Sequence, residues 1–291
     1  MNDFKLKDIA EITLNGVRLG CGDNGLALLT AIQGLSIPTI RTSSGNFAGR
    51  DGGYLSSQFL GTRQIVIDGV AWGNTAIESE QNFAKILKAV PIRQLLPMYI
   101  RVASGQTYLA NVSVIDFKYD LDNDMLHKFQ MTLLSPSPNL YIANPDDEND
   151  GWNVEPLEPI SGGGYITPFV LPVVWEDGTQ ATIINNTTNQ IALPQIIFEG
   201  SVTNPIVKNL TTGMQVGLTI TTSGDDSVAV IDMSDRTVTL NGGSILPSKT
   251  GEWWGLAPGM NTIELLATGL EETSVVTIRY RLPFISVFEG V

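Results

Sequence analysis

Three patterns in the chain combine residue types that could do chemistry, and the first is a glycine pattern. Gly20, Gly22 and Gly25 have the spacing of the dinucleotide-binding fingerprint, Gly-x-Gly-x-x-Gly. That mechanism needs a parallel strand-helix-strand unit in which the pyrophosphate lies on the N-terminus of the helix after the glycines. Here a short apolar run interrupted by Thr30 and Gly34 follows instead. A glycine-rich turn is the better interpretation, and we predict no cofactor.

The second pattern is a group of alternating aspartates that resembles the start of a calcium-binding loop. Asp120, Asp122 and Asp124 supply the spacing. An EF-hand loop continues with glycine at its sixth position and glutamate at its twelfth. Those positions hold Met125 and Met131. We therefore interpret the pattern as a solvated turn between two strands and predict no metal site.

The third pattern consists of His127 and Cys21, which are the only histidine and the only cysteine of the chain. One residue of each type cannot assemble a zinc site of the usual kind. A Ser-His-Asp triad would have to use His127, and no Gly-x-Ser-x-Gly motif lies near it. A Cys21 nucleophile with His127 is left open, but nothing in the sequence supports it. Pairs of carboxylates can be found among any 30 acidic residues, so they indicate no glycosidase. We predict that the chain is not an enzyme.

Composition and charge narrow the classes of function further. The net charge of -13 argues against binding of nucleic acid through a basic surface. It suits a surface that nucleic acid passes without sticking, although solubility alone also explains it. A single cysteine excludes an intramolecular disulfide. The N-terminal sequence lacks the pattern of a signal peptide and no apolar run reaches membrane-spanning length, so we expect cytoplasmic synthesis and no membrane partner.

Runs with an apolar residue at every second position dominate the chain and predict a mainly β protein. Val216–Ile220 and Val276–Leu282 are two such runs. Asn15-Gly16 and Asn241-Gly242 predict tight hairpin turns, because both central residues of such a turn need positive φ. Most of the remaining breaks also carry glycine, proline or asparagine.

One helix is predicted, from Ala76 to Ala89. Thr75 and Glu78 have the spacing of a capping box, in which two side chains satisfy free backbone donors. Apolar residues at helical spacing follow and form one stripe, and Pro91 ends the helix. The residues of this stripe are Phe83, Ile86, Leu87 and Val90.

The length of 291 residues predicts two domains. Residues 135–159 hold five prolines and an acidic run, which is the composition of a linker. We therefore predict an N-terminal domain over residues 1–143, a linker over residues 144–159 and a C-terminal domain over residues 160–291.

Two segments are candidates for contact with other molecules. The first, Ser43–Tyr54, is too rich in glycine for a regular element and predicts a long loop that an adjacent subunit could order. The second is the pair Trp253 and Trp254, whose side chains should point to opposite faces of a strand. The exposed tryptophan could anchor a protein contact or stack on a sugar, whereas the plainer interpretation is that both pack.

Residues 195–266 carry short motifs in a fixed order, and this order resembles the C-terminal domain of distal tail proteins of long-tailed bacteriophages. The first half adds further pieces, so the resemblance covers nearly the whole chain. The C-terminal motifs are Phe198-Glu199-Gly200, Asn204-Pro205, Asn209, Thr212-Gly213, Ile231-Asp232, Val238–Gly242, Trp253–Leu256 and Pro258–Asn261. The N-terminal pieces are Asn15-Gly16, Gly49–Gly53, Gly61-Thr62-Arg63 and the Thr75-capped helix.

The resemblance implies an N-terminal tail-tube-like β domain with one helix and a C-terminal galectin-like β-sandwich. Six copies would form a ring at the tail tip of the virion. This ring would join the tail tube protein to the tail-tip hub protein, and DNA would pass its channel without specific binding. The alternative is a carbohydrate-binding module for host adhesion. The expected inter-subunit contacts are Gly49, Arg50, Asp51, Gly52, Gly53, Tyr54 and Arg63.

Overall fold

The computed structural model describes residues 9–20, 27–90, 93–123, 126–147, 149–157, 181–268, 270 and 273–289. The described chain divides into two compact units, which comprise residues 1–151 with 283–291 and residues 152–282. Strands make up 56% of the described residues, so the prediction of a mainly β protein is confirmed. No helix in the described part is long and apolar enough to cross a membrane.

Before the chain enters the second unit, the described residues of the first unit form twelve strands and one helix. In chain order they are β1 (Ile9–Leu14), β2 (Val17–Gly20), β3 (Ala27–Gln33), β4 (Ile40–Arg41), β5 (Ser44–Asn46), β6 (Gly53–Leu55), β7 (Phe59–Leu60), β8 (Arg63–Trp72), α1 (Ala76–Lys88), β9 (Leu96–Val102), β10 (Thr107–Asn123), β11 (Leu126–Ser135) and β12 (Leu140–Ile142).

The described residues of the second unit form twelve more strands, and one last strand returns to the first unit. They are β13 (Asn153–Pro156), β14 (Ala181–Asn186), β15 (Gln195–Glu199), β16 (Val202–Asn209), β17 (Met214–Leu218), β18 (Thr221–Thr222), β19 (Val228–Asp232), β20 (Thr237–Leu240), β21 (Gly243–Ser244), β22 (Lys249–Gly251), β23 (Gly259–Thr268), β24 (Val275–Tyr280) and β25 (Pro283–Phe284).

The main sheet of the first unit closes on itself. Its order is β11-β8-β3-β2-β1-β9-β10-β12-β25, and β10 also pairs with β11. The length of β10 permits this closure, because residues 107–112 pair with β9 and residues 113–123 pair with β11. Closure leaves few unpaired strand edges. Alternating residues such as Ile12, Ile67 and Met98 are fully buried and form the core of this unit.

The helix confirms the prediction to within one residue. The Thr75 hydroxyl accepts from the backbone N–H of Glu78 at 3.2 Å, and the Glu78 carboxylate accepts from the backbone N–H of Asn74 at 3.0 Å. Phe83 and Ile86 are buried against the sheet. Leu87 belongs to the predicted apolar stripe but is exposed, because it lies at the edge of the stripe that faces solvent.

Both Asn-Gly turns also confirm the sequence prediction. Asn15 and Gly16 have φ of 48° and 77°, and they join β1 to β2. Asn241 and Gly242 have φ of 48° and 79°, and they join β20 to β21. Asparagine and glycine tolerate this left-handed conformation better than other residues.

The second unit is a sandwich of two antiparallel sheets. One sheet has the order β13-β24-β15-β19-β20-β21, and the other has the order β14-β23-β16-β17-β22 with β18 paired to β16. Inward-facing residues from both sheets, among them Phe198, Val207, Ile231 and Ile263, share one buried cluster. This shared core is what holds two such sheets face to face.

The unit boundaries differ from the predicted domain boundaries at two places. β13 lies within the predicted linker but pairs with β24, so the second unit begins at Trp152. At the other end, β25 pairs with β12 and belongs to the first unit. The composition typical of a linker correctly locates the acidic turn before Trp152. The boundary between the two units, however, is set by the pairing of strands that are distant in sequence. Residues 158–180 lie outside the described part.

A buried pair of amides closes one end of the sandwich. The side-chain N–H of Asn209 donates to the side-chain oxygen of Asn261 at 3.2 Å. The Asn261 amide also holds the 257–259 turn, since its N–H donates to the carbonyls of Ala257 and Gly259 and its oxygen accepts from the Ala257 N–H. Both asparagines are fully buried. These motif residues therefore have a structural role.

We predict that Asn261→Ala lowers the free energy of unfolding by about 3 kcal/mol, because buried backbone groups lose their partners at about 1–3 kcal/mol each. Urea denaturation of the purified chain measures this. The matched control is Asn185→Ala, an exposed asparagine on the neighbouring strand, which should change the value by about 0.5 kcal/mol or less. Equal losses in the two variants would contradict the structural role of Asn261.

Candidate assembly interface

The segment predicted as a long loop is instead a two-stranded antiparallel ribbon. We call residues 39–61 the β-arm. β4 pairs with β7 and β5 pairs with β6. Further backbone hydrogen bonds continue the ribbon, from Gly61 N–H to the Thr39 carbonyl at 2.7 Å and from Ser56 N–H to the Ser43 carbonyl at 2.8 Å. The low strand propensity of this segment did not prevent pairing, because the two strands of the ribbon supply hydrogen-bond partners for each other's backbone groups.

Both faces of the β-arm lie open to solvent. Almost all residues from Thr39 to Phe59 are exposed. The large apolar ones include Ile40 at 49%, Tyr54 at 55%, Leu55 at 63% and Phe59 at 62% exposed. A two-stranded ribbon is only marginally stable by itself in water. Exposed apolar side chains on such a ribbon are typical of a segment that another chain covers.

The predicted contact residues from Gly49 to Tyr54 lie at the tip of the β-arm. Gly49 and Gly52 have φ of 80° and 96° and make the turn. The Arg50 guanidinium carbon lies 3.8 Å from the centroid of the Phe47 ring, which in turn lies 6.2 Å from that of Tyr54. Arginine stacked on an aromatic face is a favourable pair. The tip therefore has an ordered Arg50-Phe47-Tyr54 stack.

Arg63 is predicted to contact another subunit, but it is buried within its own chain and has no exposed surface for such a contact. Its side chain is 1% exposed, within its own chain. The guanidinium donates five hydrogen bonds of 2.7–3.0 Å to four backbone carbonyls. These carbonyls belong to Gly34, Ser36, Pro138 and Ile285. Arg63 therefore ties the base of the β-arm to the segments after β11 and β25.

Burial lowers the pKa of the Arg63 guanidinium to about 10. The group is therefore still protonated at neutral pH, and it has carbonyl dipoles rather than a carboxylate as partners. The planar fork of an arginine suits this arrangement, because five donors point in fixed directions. A lysine at the same position could reach fewer of the carbonyls.

We predict that Arg63→Lys lowers the free energy of unfolding by about 3 kcal/mol, since buried carbonyls lose donors while a buried charge remains. Arg101→Lys, at an exposed arginine of β9, is the control and should cost about 0.5 kcal/mol or less. Denaturant unfolding of both variants under the same conditions measures the difference. If the two variants lose the same stability, Arg63 does not hold these segments.

The two tryptophans lie after β22 rather than within a strand. Trp254 is buried in the core of the sandwich, so it offers no surface for a partner. Trp253 is half-buried and packs against the same core. The Lys249 ammonium lies 4.6 Å from the centroid of the Trp253 ring. A lysine over the ring occupies the face that a sugar would need for stacking.

Of the remaining candidates for chemistry, Gly20, Asp120, Asp122 and His127 lie in the described part of the chain. His127 is buried on β11, and its ring lies 5.2 Å from the ring of Phe83 in the helix. Neither of its nitrogens has a hydrogen-bond partner in the described structure. Cys21, Gly22, Gly25 and Asp124 lie outside the described residues. Within the described part of the chain, no three histidine, cysteine or acidic residues form a group that could hold a metal ion.

The fold and the exposed faces of the β-arm indicate a class of protein. Two mainly β units and an arm with open apolar faces are typical of a protein that assembles with other chains. Residues 187–284 match the family model described as "Siphovirus-type tail component, C-terminal domain". The resemblance to distal tail proteins is thereby confirmed.

Solved structures share the fold over nearly the whole chain. The SPP1 Dit protein, described as a paradigm of the hub adsorption apparatus in phages that infect Gram-positive bacteria, is 17% identical with a TM-score of 0.64. The match covers 94% of this chain and 98% of that chain. A chain of the phage p2 baseplate, in its activated conformation with strontium, is 12% identical with a TM-score of 0.53. Here the match covers 95% and 98% of the two chains.

A chain of the same baseplate with calcium is 11% identical with a TM-score of 0.51, and the match covers 91% and 93% of the two chains. At such identities the likeness shows the fold alone. A comparison with curated proteins found no match.

Proposed function

We propose that this protein is the distal tail protein of a long-tailed phage or prophage. The observation that carries the proposal is the family match over residues 187–284, together with a fold shared with SPP1 Dit over 94% of the chain. The match by itself concerns the second unit. The shared fold extends the argument to the first unit, which would form the ring.

In this proposal six copies form a ring that joins the tail tube protein to the tail-tip hub protein. A ring needs a head-to-tail contact in which one surface of each subunit meets a different surface of the next. The β-arm supports such a contact, because it projects exposed apolar side chains from a unit whose other strands are mostly paired. The first unit would be tail-tube-like and the second galectin-like, as the closed sheet and the two-sheet sandwich suggest.

The ring would let DNA pass without specific binding. The net charge of -13 supports this, since a negative wall repels phosphate. In addition, two exposed bases of the first unit are paired with acids. Arg18 lies 2.5 Å from Glu11, and Lys118 lies 2.9 Å from Asp116. Paired cations attract a phosphate backbone less than free ones do.

The proposed place of the protein is the tip or baseplate of the virion tail, after synthesis in the cytoplasm of the host. The matched family is a structural tail component. This supports a protein that is not an enzyme and needs no cofactor or membrane. The alternative of a carbohydrate-binding module finds no support in the tryptophans, since Trp254 is buried and Lys249 covers Trp253.

We predict that shortening the β-arm abolishes ring formation and leaves the protein folded. Residues 42–58 would be replaced by Asn-Gly, which joins Arg41 to its partner Phe59 by a two-residue hairpin turn. Light scattering and negative-stain micrographs of the full chain, with and without the tail tube protein, measure the rings. Circular dichroism and thermal unfolding check the fold.

Two results would contradict this proposal in different ways. Intact rings of the shortened protein would exclude the β-arm from the contact. A native chain that gives no six-fold ring, alone or with the tail tube protein, would overturn the ring itself.

A further inference from the structure

The β-arm has two chemically different faces, which follow from its strand register. Arg41 pairs with Phe59 and Gly45 pairs with Tyr54. Directly paired residues share a face, and side chains alternate along the first strand, where Arg41 and Gly45 are four residues apart. The second strand has one extra residue between Tyr54 and Phe59, so these two rings are placed on a common face by their partners rather than by alternation. One face, which we call the aromatic face, therefore carries Arg41, Phe47, Tyr54 and Phe59. The opposite face, which we call the aliphatic face, carries Ile40, Leu55 and Leu60.

We propose that the β-arm docks through its aromatic face onto a second copy of this chain. This inference rests on the proposed ring and adds which face makes the contact and what chemistry it meets. Aromatic residues and arginine are the types enriched at the energetic centres of protein interfaces. Here they lie on one side of the ribbon, and the aliphatic face lacks both.

The aromatic face is ordered before it binds. Tyr54 lies across Gly45, where an added Cβ atom would come within 2.7 Å of the Tyr54 ring. Glycine thus leaves room for the ring to lie flat on the opposite strand. The same ring contacts Phe47, on which Arg50 stacks. Side chains that already hold their bound positions lose less conformational entropy on docking.

Charge complementarity points to a second copy as the partner. The β-arm contains Arg41, Arg50 and a single acid, Asp51, so it is net positive in a chain whose net charge is -13. The rest of each copy is therefore strongly acidic. A guanidinium binds a carboxylate with two parallel hydrogen bonds, which fixes orientation as well as adding affinity. Two guanidinium groups are few for a nucleic acid, whose binding depends on many phosphate contacts.

The test compares two double variants of the full chain. Tyr54→Ser with Phe59→Ser alters the aromatic face, and Ile40→Ser with Leu55→Ser alters the aliphatic face. Each removes two apolar side chains of similar exposure from the same part of the ribbon. We expect the first to weaken self-association by about 100-fold or more and the second by about threefold or less. Sedimentation velocity over a range of protein concentrations measures this.

A charge variant tests the partner's chemistry without removing apolar side chains. Arg41→Glu with Arg50→Glu should weaken self-association by about tenfold or more, because two like-charged surfaces would then meet. Added salt should weaken the native contact, since exposed charges are screened. Unchanged self-association of this variant would exclude an acidic partner surface.

The outcomes separate this inference from the proposed function. Rings that depend on the aliphatic face, or on neither face, would overturn the inference and leave the ring in place. A native chain that does not self-associate at any concentration, alone or with the tail tube protein, would overturn both. Arm variants that lose affinity for double-stranded DNA in a gel shift, but keep their self-association, would show that the arm's partner is nucleic acid.

Discussion

A single buried guanidinium holds together the part of the first unit from which the β-arm emerges. Arg63 donates to the carbonyls of Gly34 and Ser36 before the arm, of Pro138 after β11 and of Ile285 after β25. Removal of a cation from water is costly, and the lowered pKa reflects that cost. Five short hydrogen bonds offset it, because every donor of the fork finds a carbonyl. A displacement of any of these segments would therefore disturb the hydrogen bonds at the base of the arm.

The same place also depends on a glycine. Gly34 has φ of 91°, and a Cβ atom there would lie 1.9 Å from the carbonyl oxygen of Gln64. Only glycine lets β3 end close enough to β8 for its carbonyl to reach Arg63. The arm thus begins and ends at fixed points, although its own two faces have no cover from the described chain. A fixed base gives the arm a defined direction.

Local features of the fold could be predicted from the sequence, because the residues concerned act on near neighbours. Asn15-Gly16 and Thr75 with Glu78 specify a turn and a helix start through contacts within a few residues. The burial of Arg63 could not be predicted in this way. Its partners lie 27 to 222 residues away in the sequence. The Gly-Thr-Arg spacing shows only that an arginine begins a strand.

The pairing within the β-arm is a second feature that could not be predicted from the sequence. Glycine-rich segments have low strand propensity, so residues 43–54 were expected to form a loop. Pairing between β5 and β6 depends on register across the ribbon, which a residue-by-residue reading does not show. The return of β25 to β12 likewise depends on contacts made across more than a hundred residues of intervening chain. Composition placed the domain boundary near the acidic turn, but it could not assign the last strand.

Three residues of the motifs that carried the family resemblance lie inside the sandwich. Asn209 and Asn261 form the buried amide pair, and Trp254 lies in the core. These residues of the matched segment, 187–284, therefore help to close the sandwich. The β-arm lies outside that range. The proposed contact through its aromatic face therefore concerns the first unit and not the sandwich.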